Sequence, residues 1–422
     1  MAESGIREKI NSLWIKDGNL PLPKYYYPLA IVGFILFVPW EGFAYTSLPF
    51  LRLLSWLALF LEFALLAGVF IVQSVHRRAK KLDLIFYLII LTCTIYCAFT
   101  LLNSGSIFQL AKKVVFILGP WLYLAVFSRY GFKPLFRAMF LGSLIVLFAN
   151  FISMLVMYPF GSFRSDYGDT WLFGQRTFMR NFIFLSVFFC LLNDRFYNKK
   201  CSVTTAIVII VSLITFILGD SMTSLAVYCL LLMVVFFVIM GLKFPNIFRL
   251  ALVGSAVLDI LLVHARQIAL FSFVIVDIFK RNLTLSYRTQ AWDIVIDKIA
   301  ANPFFGTGFT NLEDSGIVVG YGRYLSNAHN EVLDLWYKGG LFGLLSFAAL
   351  VLACCLPLLK KTTYWAAFVL GAFLGAFFIE GVVSEIWYPQ FFFLLFFAAY
   401  LDKWAFQFEQ NYETSKGKSN AC

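Results

Sequence analysis

The chain has 422 residues, of which 61% are hydrophobic and only 14% charged, and its mean hydropathy is +0.82. Soluble domains carry about 25% charged residues, so this composition excludes a soluble globular protein and indicates a polytopic membrane protein. The net charge of +11 also suits a nucleic-acid binder, but the basic residues sit in short loops on alternate sides of apolar runs, so no nucleic-acid partner is expected.

Residues 1–27 are polar and basic, with no short apolar core and no small-residue cleavage site, and read as a cytoplasmic N-terminal segment rather than a cleaved signal. A helix needs about 20 apolar residues to cross the hydrocarbon core. Twelve stretches qualify: 28–47, 51–73, 82–102, 108–128, 134–158, 178–194, 202–219, 222–241, 246–264, 331–357, 362–381 and 387–405. The expected fold is all-α, a polytopic membrane helix bundle of about twelve transmembrane helices. Nine spans fill 28–264, one large outer loop fills 265–330, three more spans fill 331–405, and 406–422 form a cytoplasmic tail. The 50 Phe residues are expected on lipid-facing surfaces.

Charge sets the orientation. The loops after the second, fourth, sixth, eighth and tenth spans are basic: Arg77, Arg78, Lys80 and Lys81; Arg129, Lys133 and Arg137; Arg195, Lys199 and Lys200; Lys243 and Arg249; Lys360 and Lys361. By the positive-inside rule that side is cytoplasmic, with both termini. The other side, periplasmic in a bacterium, holds the two longer loops, 158–180 and 265–330. In the second, Trp292, Val295, Ile296 and Ile299 recur at helical spacing over 286–301, as in an amphipathic helix lying on or near the membrane surface. Asn302-Pro303 ends it and a Gly306-Thr307-Gly308 turn follows. The eight Cys lie in or beside apolar stretches or at the C-terminus, without metal-ligand spacing, so no disulfide and no metal site are expected.

Three groups of residues suit chemistry. His329 opens the tenth span beside Asn327, Asn330 and Glu331. Histidine titrates near neutral pH and serves as a general base toward a hydroxyl, although a residue in this position also caps or packs a helix. His76 reads as part of a solvated basic loop and His264 as interfacial. The second group is the outer arginines, against the positive-inside trend: Arg164, Arg176 and Arg180 in one loop, Arg266, Arg281, Arg288 and Arg323 in the other. A guanidinium fork matches phosphate oxygens, while single basic residues there also snorkel to head groups. Arg176, Arg180 and Arg288 stand beside helix ends and rank above the rest. The third group is acidic: Glu380 and Glu385 flank the last outer turn and Asp220 sits in an earlier one; ionisable groups at such depth are usually paired or functional. Glu41 and Glu62 are also intramembrane, with no role assigned.

Two stretches then carry a resemblance. The segment 286–308, with Arg288, Trp292 and Pro303-Phe304-Phe305-Gly306-Thr307-Gly308, together with Ala328-His329-Asn330-Glu331-Val332-Leu333 and Gly339-Gly340-Leu341-Phe342-Gly343, resembles the O-antigen ligase and Wzy-type polymerase superfamily. The close likeness spans roughly 60 residues; the rest is architecture. It implies an integral-membrane glycosyltransferase of the GT-C type, using a glycan on undecaprenyl diphosphate and neither cofactor nor metal. It further implies His329 as the base, Arg288 as a diphosphate ligand, and Asn330, Glu331 and Glu385 as supporting polar groups; Arg176 and Arg180 match by location only. One departure stands out: where many ligases have a basic residue after Ser in an outer turn, this chain reads Ser221-Met222.

On this reading the protein is a polysaccharide polymerase in a bacterial inner membrane with its active site facing the periplasm. It moves a chain from undecaprenyl diphosphate to a sugar hydroxyl of a lipid-linked repeat unit. Its partners are the lipid-linked glycan, an acceptor glycan or glycolipid, membrane lipids and a chain-length regulator. The alternatives are a ligase acting on lipid A-core and, from another class, a lipid-linked oligosaccharide transporter. A transporter predicts repeated halves with polar groups at the midplane, whereas here no halves repeat and the polar groups collect at one face.

Overall fold

A computed structural model describes residues 20–37, 49–76, 83–157, 163–165, 168–175, 178–197, 201–240, 242, 244, 246–265, 268–278, 283–285, 287–311, 314–320, 322–325, 327–361, 364–406 and 408. Residues 1–19, the tail from 409, and Arg77, Lys80, Lys199, Lys243, Arg266, Arg281 and Arg176 lie outside the described residues.

A helix occupies each of the twelve apolar stretches. They are α1 (Tyr26–Phe37), α2 (Pro49–His76), α3 (Leu84–Leu102), α4 (Ile107–Phe127), α5 (Phe132–Met157), α6 (Met179–Phe196), α7 (Val203–Leu218), α8 (Met222–Ile239) and α9 (Ile247–Asp259, prolonged by a wider turn to His264). The amphipathic stretch forms α10 (Arg288–Ala301). Then come α11 (Glu331–Lys360), α12 (Trp365–Gly381), α13 (Pro389–Ala399) and the short α14 (Leu401–Trp404). Among the described residues six helices are long and apolar enough to cross a membrane, and five more are apolar but shorter. Local capping starts several of them: Asp83 accepts from the Ile85 N–H at α3, Ser106 from Gln109 at α4, and Asn330 from Leu333 at α11. Each cap satisfies an amide that the first helical turn leaves without a partner.

The centre of the bundle is α6, α13 and the heart of α4. Every residue from Met179 to Leu192 is buried, and so is every residue from Pro389 to Ala398. Around them α1 packs on α5, α5 on α6, α9 and α8 on α12, and α3 and α13 on α11. Phenylalanine fills this centre: Phe391, Phe392, Phe393, Phe396 and Phe397 are all 0% exposed, and rings of α1, α5 and α6 contact them edge-on or tilted. The expectation of a lipid-facing Phe surface holds only in part: Phe50, Phe236 and Phe273 are exposed, but the core takes a large share of the rings. Aromatic rings gain from contact with each other beyond their area, whereas lipid tails match Leu, Ile and Val equally well. The exposed flanks of α2, α7 and α9 are rich in those aliphatic residues.

Two small sheets sit between helices. Strands β1 (Phe163–Ser165), β2 (Gly168–Trp171) and β3 (Gly174–Gln175) form an antiparallel meander after α5, tied to that helix by Phe173 N–H to Asn150 Oδ1 (2.9 Å). Strands β4 (Ile317–Val319) and β5 (Arg323–Leu325) form a hairpin before α11. The stripe of α10 is covered by protein: Trp292 and Val295 are fully buried in a second core with Ile317, Leu325, Ala328 and Leu333. The helix therefore packs its apolar stripe on the hairpin and the start of α11.

The two ends of the bundle differ. Arg249 donates to the Leu359 carbonyl (2.9 Å), Arg195 lies over the Trp365 ring, and Lys133 lies over Phe196. Among the described residues, the basic groups around Lys133, Arg195 and Arg249 thus share one end with the turn after α11. The starts of α4, α6 and α11 and the end of α12 meet at the other.

Candidate active site

At that second end, α11 begins with a tight turn. Asn330 caps it with its Oδ1, while its Nδ2 donates to Asp259 Oδ1 (2.5 Å) and to the Val382 carbonyl (2.9 Å). Preceding it, His329 has a positive φ of 50°, a left-handed backbone that costs a residue with a Cβ about 1–2 kcal/mol. Its own N–H donates to Asn327 Oδ1 (3.1 Å), and the Ala328 N–H donates to Asp334 Oδ1 (3.0 Å). The turn is over-determined from both sides, and the half-buried His329 sits at its lip.

Beneath the lip lies a buried charged network. Asn327 Nδ2 donates to Glu385 Oε2 (3.3 Å), as does the Tyr388 hydroxyl (3.2 Å). The other oxygen of Glu385 pairs with Lys113 of α4, whose ammonium also donates to the Trp387 carbonyl (3.2 Å). Arg180 of α6 donates to Ser384 Oγ (2.9 Å) and the Glu385 carbonyl (2.8 Å), and its guanidinium pairs with Glu380 at 3.4 Å. Glu331 accepts the Ile386 N–H (2.7 Å), and Lys338 pairs with Asp334 at 2.5 Å one turn along α11. All of these charged side chains are buried. Burial pushes the Glu385 carboxyl upward, but Lys113 and Lys338 outweigh it and hold the group at about 2, well below the usual carboxylate range.

The Gly-rich segment after α10 locks this assembly. α11 breaks its regular course at Gly340 (φ 58°, ψ −169°), a region open essentially to glycine alone. The break admits the incoming loop: Leu341 N–H donates to the Pro303 carbonyl (2.8 Å), Thr307 N–H to Tyr337 (2.8 Å) and Gly308 N–H to Lys338 (2.9 Å). A Cβ on Gly340 would lie 2.1 Å from the Phe304 carbonyl oxygen, and one on Gly306 would lie 2.4 Å from the Gly340 nitrogen. On its far side the loop meets α3, where Phe309 N–H donates to Thr100 Oγ1 (3.0 Å).

The structure brings His329, Asn330, Glu331 and Glu385 into one cluster, with Asn327 as the link. Arg180 is part of it as a 2% exposed residue held by the protein's own groups. Arg288 is the half-buried first residue of α10. Sequence reading passed over Lys113, Asp334, Lys338 and Asp259. A signal existed: Lys112-Lys113 and the Asp334/Lys338 pair interrupt otherwise apolar helices, and charges at such positions are costly unless paired or used.

The family model described as O-antigen ligase matches residues 207–348, about a third of the chain. The chain carries an O-antigen ligase-type domain. No curated protein matches the chain. The match spans α7 to the middle of α11 and so contains Arg288, His329, Asn330, Asp334 and Lys338, while Lys113, Arg180 and Glu385 enter the cluster from outside it. The match, together with the apolar helices, supports a membrane glycosyltransferase of the O-antigen ligase and polymerase kind, a family that implies lipid-linked glycan and acceptor substrates in general.

Proposed function

We propose that the chain is a polysaccharide polymerase that transfers a glycan from undecaprenyl diphosphate to a sugar hydroxyl of a lipid-linked repeat unit, at the periplasmic face of a bacterial inner membrane. One observation carries the reading. A histidine in a costly backbone conformation stands at the rim of a buried ion network and is tied to it through Asn327 and Glu385. Strain of this kind, held by surrounding bonds, marks functional positions.

In this reading His329 takes the proton of the acceptor hydroxyl. The oxygen attacks the anomeric carbon of the donor sugar, and the bond from that carbon to the diphosphate breaks, so undecaprenyl diphosphate leaves with the electron pair. Arg288 offers the diphosphate its planar fork; Arg176 is assigned the same task by its place in the chain. Arg180, enclosed by Ser384, Glu380 and the Glu385 carbonyl, holds the turn that presents Glu385. Asn330 and Glu331 fix the start of α11 against the turn at 382–386. Buried, satisfied supports of this type keep a reacting group within the fraction of an ångström that catalysis demands. The basic end of the bundle is assigned to the cytoplasm.

The ligase reading is supported by the description of the matched family, and Met222 in place of a basic residue weighs against it. Gel analysis of surface glycans from strains carrying His329→Ala or Arg288→Ala, beside the deletion strain, separates the two. A polymerase leaves single repeat units on the normal acceptor and no long chains. Long chains that persist on undecaprenyl diphosphate but never reach lipid A-core identify a ligase. Unchanged glycans in both variants refute the assignment of the site.

A further inference from the structure

At the basic end of the bundle, away from the cluster above, a cavity of about 190 Å³ opens between α1, α5 and α6. Leu22, Tyr27, Lys133, Arg137, Asn193 and Phe196 line it. Lys133 and Arg137 are one turn apart on α5, so both present to the same side. Lys133 lies 5.9 Å from the Phe196 ring centroid and Arg137 lies 6.0 Å from that of Tyr27. Neither makes an ion pair among the described residues. Apart from Asn193 and the tyrosine hydroxyls, the walls are apolar and aromatic, which a small hydrated anion does not need. The same ridge of α5 continues at four-residue spacing through Leu141 and Ile145, both exposed large hydrophobic residues. Two cations at a helix end, followed along one ridge by an apolar track, match a ligand with an anionic head and a hydrocarbon tail.

We propose that this cavity binds the phosphate of an anionic membrane phospholipid, with the acyl chain along Leu141 and Ile145. The site is separate from the transfer chemistry and does not rest on the reading of it.

The test uses the full chain in phosphatidylcholine nanodiscs with increasing phosphatidylglycerol, and native mass spectrometry to count retained lipid. The wild type retains phosphatidylglycerol saturably. Lys133→Gln/Arg137→Gln raises the half-saturating fraction roughly 30-fold, at about tenfold or less for each cation removed. Lys360→Gln/Lys361→Gln, which removes the same charge from the same end, leaves it unchanged. Equal effects of the two double variants would reduce the result to bulk charge and overturn the proposal. Competition by millimolar inorganic phosphate would assign the cavity to a free anion and overturn it as well. If the Lys133/Arg137 double variant fails to fold, Arg137→Gln alone still decides: a partial loss of retention supports the site and wild-type retention overturns it.

Discussion

Lys113 and Glu385 stand 272 residues apart in sequence and form an ion pair with exposures of only 7% and 10% for their side chains. Replacing Glu385 with Ala leaves the Lys113 ammonium buried with no carboxylate, and takes an acceptor from both Asn327 and Tyr388. Breaking a buried pair from one side costs about 3–5 kcal/mol, because a charge is left without compensation, whereas replacing both partners by apolar groups of similar volume is often neutral. Glu385→Ala is therefore expected to lower the thermal midpoint of the purified protein by several degrees. Lys113→Met/Glu385→Leu is expected to recover most of that loss. Glycan transfer follows a different pattern: it falls in the single variant and stays low in the double one, because Asn327 no longer has Glu385 to hold it beneath His329. The assay pairs thermal unfolding in detergent with surface-glycan gels of the same variants. A Glu385→Ala protein as stable as wild type would refute the energetic reasoning. A double variant with restored transfer would refute the positioning chain from Glu385 to His329.

The pH behaviour of the same carboxyl follows from its downward shift to about 2 from an ordinary value of 4.5. A carboxyl whose folded value is depressed contributes stability that is fully present above the ordinary value and is lost as pH falls toward the folded one. The difference in thermal midpoint between wild type and Glu385→Gln should therefore stay flat from neutral pH down to about 5 and shrink below it; a difference that already shrinks between pH 8 and 6 contradicts this. Gly340→Ala places a Cβ 2.1 Å from the Phe304 carbonyl oxygen on a backbone at φ 58°. A cost of more than about 3 kcal/mol is expected from the conformation and the overlap together. Limited proteolysis should show early cleavage around the loop 303–309 in that variant, and a wild-type digestion pattern would refute the interlock.

The hydropathy of the chain alone marked where the apolar helices lie, because transfer into hydrocarbon adds up locally and needs no knowledge of neighbours; the second half of the first stretch, 38–47, lies outside the described residues. The turn around His329 was legible for a similar reason: a His between two Asn residues at the head of an apolar run is a local pattern, and so is the Gly306-Thr307-Gly308 turn. The Gly339-Gly340 pair was visible too, though not that its second member breaks α11 to receive the Phe304 carbonyl.

Tertiary structure alone decided which charges meet. Lys113, Arg180, Glu331 and Glu385 come from four separate parts of the chain, and each one singly reads as an oddity in or beside an apolar stretch. Their value lies in mutual compensation, which only packing creates. Tertiary structure also decided what covers each apolar face. The stripe Trp292, Val295 and Ile299 announces a buried side of a helix, but lipid, a hairpin and another helix are equally apolar coverings. The same ambiguity hid the role of phenylalanine, many of whose rings turn inward to one another at the centre of this bundle while others, such as Phe50, Phe236 and Phe273, stay exposed.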